Sequence, residues 1–264
     1  GTIEDGGVSW RGDLESIARA NLWVRTASRV LVRVAEFTAK AFFELELHAK
    51  RIHWEQFAGK GTPVGFRVTC RKSKLYHSDA VAERLAQSVK RRIPGIEMSS
   101  DAEPDESPAS SEVQLFVVRV FRDVCTISAD SSGALLHFRG YRQALAKAPL
   151  RETLAAAMLL AAGWRGETGL ADPMCGSGTI PIEAALIARR IAPGRSRGFA
   201  FQRWPSAKPA AWSRMLEAAR AGERPRSEVA IFGADRDAGA IDAARANAER
   251  AGVSGDITFA QQPI

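Results

Sequence analysis

The stretch Leu170-Ala171-Asp172-Pro173-Met174-Cys175-Gly176-Ser177-Gly178-Thr179-Ile180-Pro181-Ile182-Glu183 decides the fold. Leu170-Ala171-Asp172 reads as a short strand, and the apolar run from Ile180 to Ile191 reads as a helix. The turn between them carries Gly176 and Gly178, which allow a ligand to approach the backbone, and Thr179 is placed to cap the helix. A glycine-rich turn from a parallel strand into a helix aims backbone N–H groups and a helix N-terminus at whatever binds there. No Lys precedes Thr179, which argues against a nucleoside triphosphate loop, and two glycines fall short of the three-glycine dinucleotide pattern. A tight turn that only packs helix on strand remains the plainer alternative.

Outward from that loop, the pattern repeats. Leu150 to Ala162 reads as a helix before it. After it come a helix over 212–221, a strand over Val229–Asp235, a helix over 238–251 and the start of a strand at Ile257-Thr258-Phe259. This is strand-loop-helix-strand-helix-strand, the opening half of a doubly wound sheet. Asp235 ends the second strand at the ligand-facing edge, where a carboxylate can accept from two ribose hydroxyls. Asp237, two residues on, is the better helix cap. Three strands leave sheet faces uncovered, so the reading expects a further, catalytic half beyond Ile264. Cys175 has no His near it in sequence, and small packing beside the ligand is the simpler role.

Residues 1–138 alternate short strands and helices in the manner of an α+β region. Strands are predicted at Val8–Trp10, Val30–Val34, Phe66–Cys70, 113–121 and 124–128. Helices are predicted over 13–22, with Asp13 as cap, over 40–49, with Phe42, Phe43 and Leu45 as core, and over 79–93, with Val81, Leu85 and Val89 inward. Residues 94–112 carry Pro, Ser and acids and read as a flexible acidic loop.

The chain of 264 residues has a net charge of +7, unevenly placed. Residues 1–94 hold 17 Lys/Arg against 10 Asp/Glu, residues 95–112 hold six acids and no base, and residues 113–264 hold 20 bases against 14 acids. Two basic blocks around an acidic connector suit a polyanionic partner as well as a solvated surface. Lys72, Lys74, Lys90, Arg91, Arg92, Arg139 and Arg142 are the candidate phosphate contacts. Tyr141 can stack on a base or pack between domains. The interleaved Arg195, Arg197, Phe199, Phe201, Arg203 and Trp204 can cover a ligand, touch nucleic acid or simply anchor a loop. Three scattered Cys and four scattered His give no metal-ligand spacing and no disulfide framework, which predicts a reduced, metal-free cytoplasmic protein. No apolar run reaches membrane-spanning length.

Four motifs taken in order, Arg139-Gly140-Tyr141-Arg142, Ala148-Pro149-Leu150-Arg151-Glu152-Thr153-Leu154-Ala155, Asp172 to Thr179 and Gly233-Ala234-Asp235, resemble the THUMP-domain RNA guanine-N2 methyltransferases. Gly6-Gly7-Val8 and Lys72-Ser73-Lys74-Leu75-Tyr76-His77-Ser78 extend the likeness over essentially the whole chain. The resemblance implies an α/β protein. Residues 1–138 would form a ferredoxin-like piece plus a THUMP α+β region that binds RNA. Residues 139–264 would form an incomplete, C-terminally truncated Rossmann-like doubly wound methyltransferase domain. It implies S-adenosyl-L-methionine as methyl donor and structured rRNA or tRNA as partner. Carried over by position, Asp172, Pro173, Cys175, Gly176, Ser177, Gly178 and Thr179 would surround the donor's methionine end. Asp235 would hold its ribose, and Pro149, Leu150 and Thr153 would back the pocket. Gln262 stands where the family meets the adenine with an acidic step. The family's Asn-Pro-Pro-Tyr motif, which holds the acceptor amine, does not occur in residues 1–264, so no catalytic residue is assigned. Competing readings are an adenine-N6 methyltransferase acting on DNA or RNA and a non-catalytic RNA-binding fragment. A nicotinamide enzyme is disfavoured by the loop.

Overall fold

The computed structural model describes residues 1–4, 6–99, 112–142 and 150–263. Most of the acidic connector (100–111) and the Ala148-Pro149 step lie outside the described residues.

The chain opens with a small antiparallel hairpin, β1 (Thr2–Glu4) and β2 (Gly7–Ser9). Helix α1 (Leu14–Trp23) starts at Asp13, whose carboxylate accepts from the Ser16 backbone N–H at 2.9 Å, the expected cap. A four-stranded sheet follows, built from β3 (Leu31–Thr38), β4 (Val64–Arg71), β5 (Gln114–Phe121) and β6 (Val124–Asp130) in the order β3-β6-β5-β4. Only β4 and β5 run parallel, and α3 (Ser78–Arg92) is the crossover that a parallel pair requires. Strand alternation sends Phe116, Val118 and Val120 to one face. There Val81, Leu85 and Val89 of α3 and Leu45 of α2 (Phe42–Ala49) close the core. Phe43, expected in that core, is instead 68% exposed. It lies two residues from Leu45, roughly 200° around the helix, so it faces away from the sheet.

The second half holds α4 (Glu152–Ala161), β7 (Leu170–Asp172), α5 (Thr179–Ala188), α6 (Pro209–Ala221), β8 (Ile231–Asp235), α7 (Ala238–Ala251) and β9 (Ile257–Gln261). Its sheet is parallel, in the order β7-β8-β9. Ile182 and Ala185 of α5 and Ala248 of α7 bury against Ile231 and Ile257. Helix α5 stops short of the predicted Ile191, because Arg190 takes a left-handed φ of 56° and Ile191 N–H turns back to the Leu186 carbonyl at 2.8 Å.

The 192–209 segment corrects the sequence reading. Of the three roles open to its aromatics, cover for a ligand, contact with nucleic acid and anchor of a loop, the structure shows the anchor and overturns the first two. Phe199, Phe201 and Trp204 are buried in the core of the first half. Trp204 Nε1 donates to Gln114 Oε1 at 2.7 Å, and Phe201 N–H donates to the Ser131 carbonyl at 3.0 Å. The Arg197 guanidinium donates to the carbonyls of Leu135 at 2.5 Å, Phe138 at 3.2 Å, Ala134 at 2.5 Å and Ser132 at 3.4 Å. Gly194 sits so close to α1 that a Cβ would stand 2.7 Å from the Asn21 carbonyl oxygen. The segment is a clasp that ties the second half to the first. Among the described residues no helix is long and apolar enough to cross a membrane, and no group of three or more His, Cys, Asp or Glu is placed to hold a metal ion.

Candidate functional site

The carboxyl ends of β7 and β8 meet at one sheet edge. Asp172 pairs in register with Gly233, and Asp235 ends β8 two residues further on. Between them runs the loop 173–178. Its course is fixed by Cys175 N–H to the Ala234 carbonyl at 2.8 Å, Gly178 N–H to the Cys175 carbonyl at 2.8 Å and Met174 N–H to Asp172 Oδ1 at 3.1 Å. The Asp235 carboxylate completes it, accepting from the Gly176 N–H at 2.9 Å and from the Asp237 N–H at 3.0 Å. Asp237 itself caps α7 through the Gly239 N–H at 2.8 Å.

Two glycines serve different ends here. Gly178 has φ of +81°, and a Cβ there would stand 3.0 Å from Ala244 Cβ and 3.2 Å from Phe259 Cζ, so left-handed backbone and tight packing together favour glycine. Gly176 has φ of +52°, and a Cβ there would meet nothing within 4 Å. The space above Gly176 is therefore open, and the Asp235 carboxylate that accepts from the Gly176 N–H lies beside it.

The electrostatics of that edge are acidic. Burial pushes the Asp172 carboxyl above the ordinary aspartate value, opposed by the Met174 N–H and reinforced by the Asp235 charge. Asp235 moves the other way, because backbone N–H groups, first that of Asp237 and also that of Gly176, stabilise its charge. Burial and the same two carboxylates push the Cys175 thiol up to about 12. Cys175 is thus a protonated, buried packing residue with no nucleophilic thiolate at neutral pH. A paired-carboxylate edge suits a ligand bearing an ammonium group and hydroxyls.

The outer shell contains residues that sequence reasoning missed. Asn247 of α7 is fully buried and its Nδ2 donates to the Ser177 carbonyl at 3.0 Å. Arg250 holds it in turn, donating to Asn247 Oδ1 at 2.5 Å and to the Tyr141 carbonyl at 2.7 Å. Only the helical spacing of Asn247 and Arg250, three apart on one face of α7, hinted at this. Thr153 is buried on α4, and Thr179 Oγ accepts from Arg142 at 2.6 Å. Gln262 is exposed beyond β9, with its N–H on the Asp235 carbonyl at 3.0 Å. Pro173 is exposed in the loop, and Pro149 lies outside the described residues.

The candidate RNA residues do not come together. Arg139, a candidate phosphate contact, is an interior group, and Tyr141 takes the packing role of its two alternatives, buried in the core of the second half. The Arg139 guanidinium donates to the carbonyls of Leu136 and Arg25, both at 2.6 Å, and approaches Glu183 Oε1 at 3.4 Å. Tyr141 O–H donates to the same Glu183 oxygen at 3.3 Å. Arg142 is committed to the Leu150 carbonyl, Thr179 and Glu152. An Arg-Gly-Tyr-Arg string looks basic in sequence, but its charges answer the buried Glu183 and Glu152. Lys72 and Lys74 are exposed beside the start of α3, and Lys90, Arg91 and Arg92 are exposed at its end. Fifteen residues of helix separate the two groups by roughly 20 Å. Arg92 is also paired with Glu55 through two hydrogen bonds of 2.9 and 2.7 Å.

The fold and this edge define a Rossmann-like half whose loop and terminal acid are arranged for a nucleoside-type ligand. Residues 139–264 match the RMKL-like methyltransferase domain, and residues 1–31 match the RlmL ferredoxin-like domain. The chain belongs to this RlmL-like methyltransferase family. It is 37% identical over 259 residues to slr0064 of Synechocystis, covering 96% of this chain and 65% of that protein. It is 35% identical over 265 residues to YpsC of Bacillus subtilis, covering 99% of this chain and 67% of that protein. Both are provisionally named RNA methyltransferases. Ribosomal RNA large subunit methyltransferase K/L of Syntrophotalea carbinolica is 39% identical over 260 residues, 96% of this chain and 36% of that one. The chain thus spans about two thirds, or less, of the curated relatives it matches. Among solved structures, SMU.472, provisionally named a methyltransferase and complexed with SAH, is 30% identical with a TM-score of 0.81, covering 95% of this chain and 66% of that one. A Listeria monocytogenes protein, named a predicted N6-adenine-specific DNA methylase, is 35% identical with a TM-score of 0.81, covering 95% of this chain and 65% of that one.

Proposed function

We propose that this chain carries the methyl-donor site and RNA-recognition region of an S-adenosyl-L-methionine-dependent RNA methyltransferase that acts on the exocyclic N2 of a guanine in structured RNA, with rRNA as the first substrate class. The observation that carries the reading is the Gly176–Asp235 edge: an open glycine flanked by two carboxylates at the ends of adjacent parallel strands. The SAH-bound relative and the rRNA-methyltransferase relative support the donor and the substrate class.

The chain's own residues suit the donor. Asp172 accepts from its ammonium group, the Gly176 and Ser177 backbone faces its methionine end, and Asp235 keeps acceptor capacity for ribose hydroxyls beyond the two N–H groups it already holds. Gln262 lies beyond β9 on the adenine side. Bound there, the donor supplies an electrophilic methyl on a sulfonium. The residues around it hold the donor, and burial with the two carboxylates keeps the thiol of Cys175 protonated, so that it does not compete for the methyl group. Residues 1–138 would hold the RNA as a THUMP-type region does.

The test is methyl transfer by the full-length protein from radiolabelled donor to rRNA, tRNA and DNA, followed by nucleoside analysis. N2-methylguanosine in rRNA supports the reading, and no transfer to any RNA removes it. The N6-adenine name carried by the Listeria relative favours a second outcome, N6-methyladenine. Its appearance in place of N2-methylguanosine would replace the guanine assignment.

A further inference from the structure

Helices α2 and α3 cover one face of the four-stranded sheet, and the opposite face has its own pattern. Register places Arg67, Thr69 and Arg71 of β4 beside Val117, Arg119 and Phe121 of β5, and these beside Ser128, Thr126 and Val124 of β6. The end of this face nearest the clasp is buried at Gly65, Leu115 and Asp130, whereas Arg71, Arg119 and Val124 at the other end are exposed. Phe121 is half-buried, with the guanidinium groups of Arg119 and Arg122 each 5.2 Å from its ring centre. Glu36 of β3, on the strand beyond β6, lies 3.3 Å from Arg33 and accepts from Thr126 Oγ at 3.3 Å.

The open end of the face is bordered by two loops that lock each other. Lys72, Arg122 and Asp123 all take left-handed backbone, with φ of 49°, 51° and 64°. Such backbone persists in non-glycine residues only where neighbours hold it. Here Lys74 N–H donates to Asp123 Oδ1 at 2.7 Å, Asp123 N–H to Ser73 Oγ at 3.0 Å, Ser73 Oγ to the Arg71 carbonyl at 2.9 Å and Arg122 N–H to the same carbonyl at 3.3 Å. The result is a fixed rim of Arg71, Lys72, Lys74 and Arg122 around an aromatic ring on a twisted sheet. Arg67 and Arg71 on one strand with Thr69 between them, Arg119 across from Thr69 and one ring among guanidinium groups are complementary to a phosphate chain with an unpaired base.

We infer that the open face of this sheet, with Arg67, Arg71, Arg119 and Phe121 and the Lys72–Lys74 rim, seats an unpaired stretch of the RNA substrate. The inference rests on the RNA reading above and assigns the place of binding. It sets aside the Lys90–Arg92 group at the other end of α3, where Arg92 is paired with Glu55.

The experiment measures binding of a fluorescein-labelled RNA stem-loop with an unpaired tail to the full-length protein, over a series of salt concentrations. Arg71→Glu/Arg119→Glu is expected to weaken binding at least about tenfold at low salt and to flatten the salt dependence by about 0.7 in log–log slope per lost phosphate contact. Phe121→Leu keeps an apolar side chain in place and removes only the stacking face. It is expected to lose about tenfold with the slope unchanged. Lys90→Glu/Arg91→Glu is expected to bind like the parent, and donor affinity should be unchanged in all three. Parent-like RNA binding by the first two variants, or a loss confined to Lys90→Glu/Arg91→Glu, overturns the placement while leaving the RNA reading intact. Loss of binding to phosphatidylglycerol vesicles with RNA binding preserved overturns it in favour of a membrane face. A parent protein that binds no RNA at low salt overturns both readings together.

Discussion

The Gly176 N–H donates to the Asp235 carboxylate at 2.9 Å, so the acid at the end of β8 fixes the loop that follows β7. One side chain therefore both shapes the loop and faces the space beside it. Asp235→Ala removes both contributions and is expected to weaken S-adenosyl-L-methionine binding by about 1–3 kcal/mol, the cost of leaving hydrogen-bonding groups unpaired. Asp235→Asn retains one acceptor for the Gly176 N–H and should fall between the two. Titration calorimetry on the full-length protein decides it: an unchanged affinity in Asp235→Ala removes the ribose role.

The two loop glycines should separate stability from binding. Gly178→Ala forces a Cβ to 3.0 Å from Ala244 and 3.2 Å from Phe259 at φ of +81°. Left-handed strain and overpacking together predict a loss of about 2–4 kcal/mol in denaturant unfolding. Gly176→Ala meets no neighbour within 4 Å, so only strain of about 1–2 kcal/mol applies to the free protein. Its methyl group would enter the open space of the site, so donor affinity should fall further than stability does. Equal effects of the two substitutions on both measurements would refute the division.

The loop, the two acids and the order of strands and helices were legible because they depend on local signals: glycines at a strand-to-helix turn, an acid at a strand end and apolar periodicity. The burial of Arg139 was not legible, nor which of its two roles Tyr141 takes, because their shared partner Glu183 lies more than forty residues away and only the packing of α5 brings it to them. The same holds for Phe199, Phe201 and Trp204, whose aromatic character announces burial but not in which core. The open sheet face was hidden for a different reason. Its residues alternate with core residues along β4 and β5, and only the strand register sets Arg119 opposite Thr69, diagonal to Arg67 and Arg71 on the same face.

Glu183 is fully buried and compensates several groups at once. Its carboxylate lies 3.4 Å from Arg139 Nε, 4.0 Å from Arg25 Nη1 and 3.3 Å from the Tyr141 hydroxyl. Glu183→Ala strands two guanidinium groups in the junction between the halves and is expected to cost about 3–5 kcal/mol. Burial already draws Arg25 down to about 10, the change expected of a cation short of solvent. Glu183→Gln keeps the volume and the Tyr141 contact but loses the charge, and should still destabilise clearly. Urea unfolding monitored separately in each half would show whether the junction opens first. A loss under about 1 kcal/mol in Glu183→Ala would mean that the charges find water.

Asp172 gives a pH prediction whose sign is opposite to the usual acid-denaturation trend. Its folded carboxyl is raised, chiefly by burial, so the folded chain binds this proton more tightly than the unfolded chain does. The site's contribution to stability therefore improves as pH falls through the raised value, and the cost of burying the charge is fully present above it. Donor binding runs the other way, since an ammonium group needs the ionised carboxylate, and protonating Asp172 removes its partner. Affinity should thus begin to fall at a pH above the ordinary aspartate value of 3.8 while the protein remains folded. Asp172→Asn should remove this part of the pH dependence, bind the donor weakly throughout and melt no lower than the parent at neutral pH. Calorimetric titrations at stepped pH, paired with melting curves at the same pH values, test both limbs. A pH profile unchanged in Asp172→Asn would exclude Asp172 as the ammonium partner.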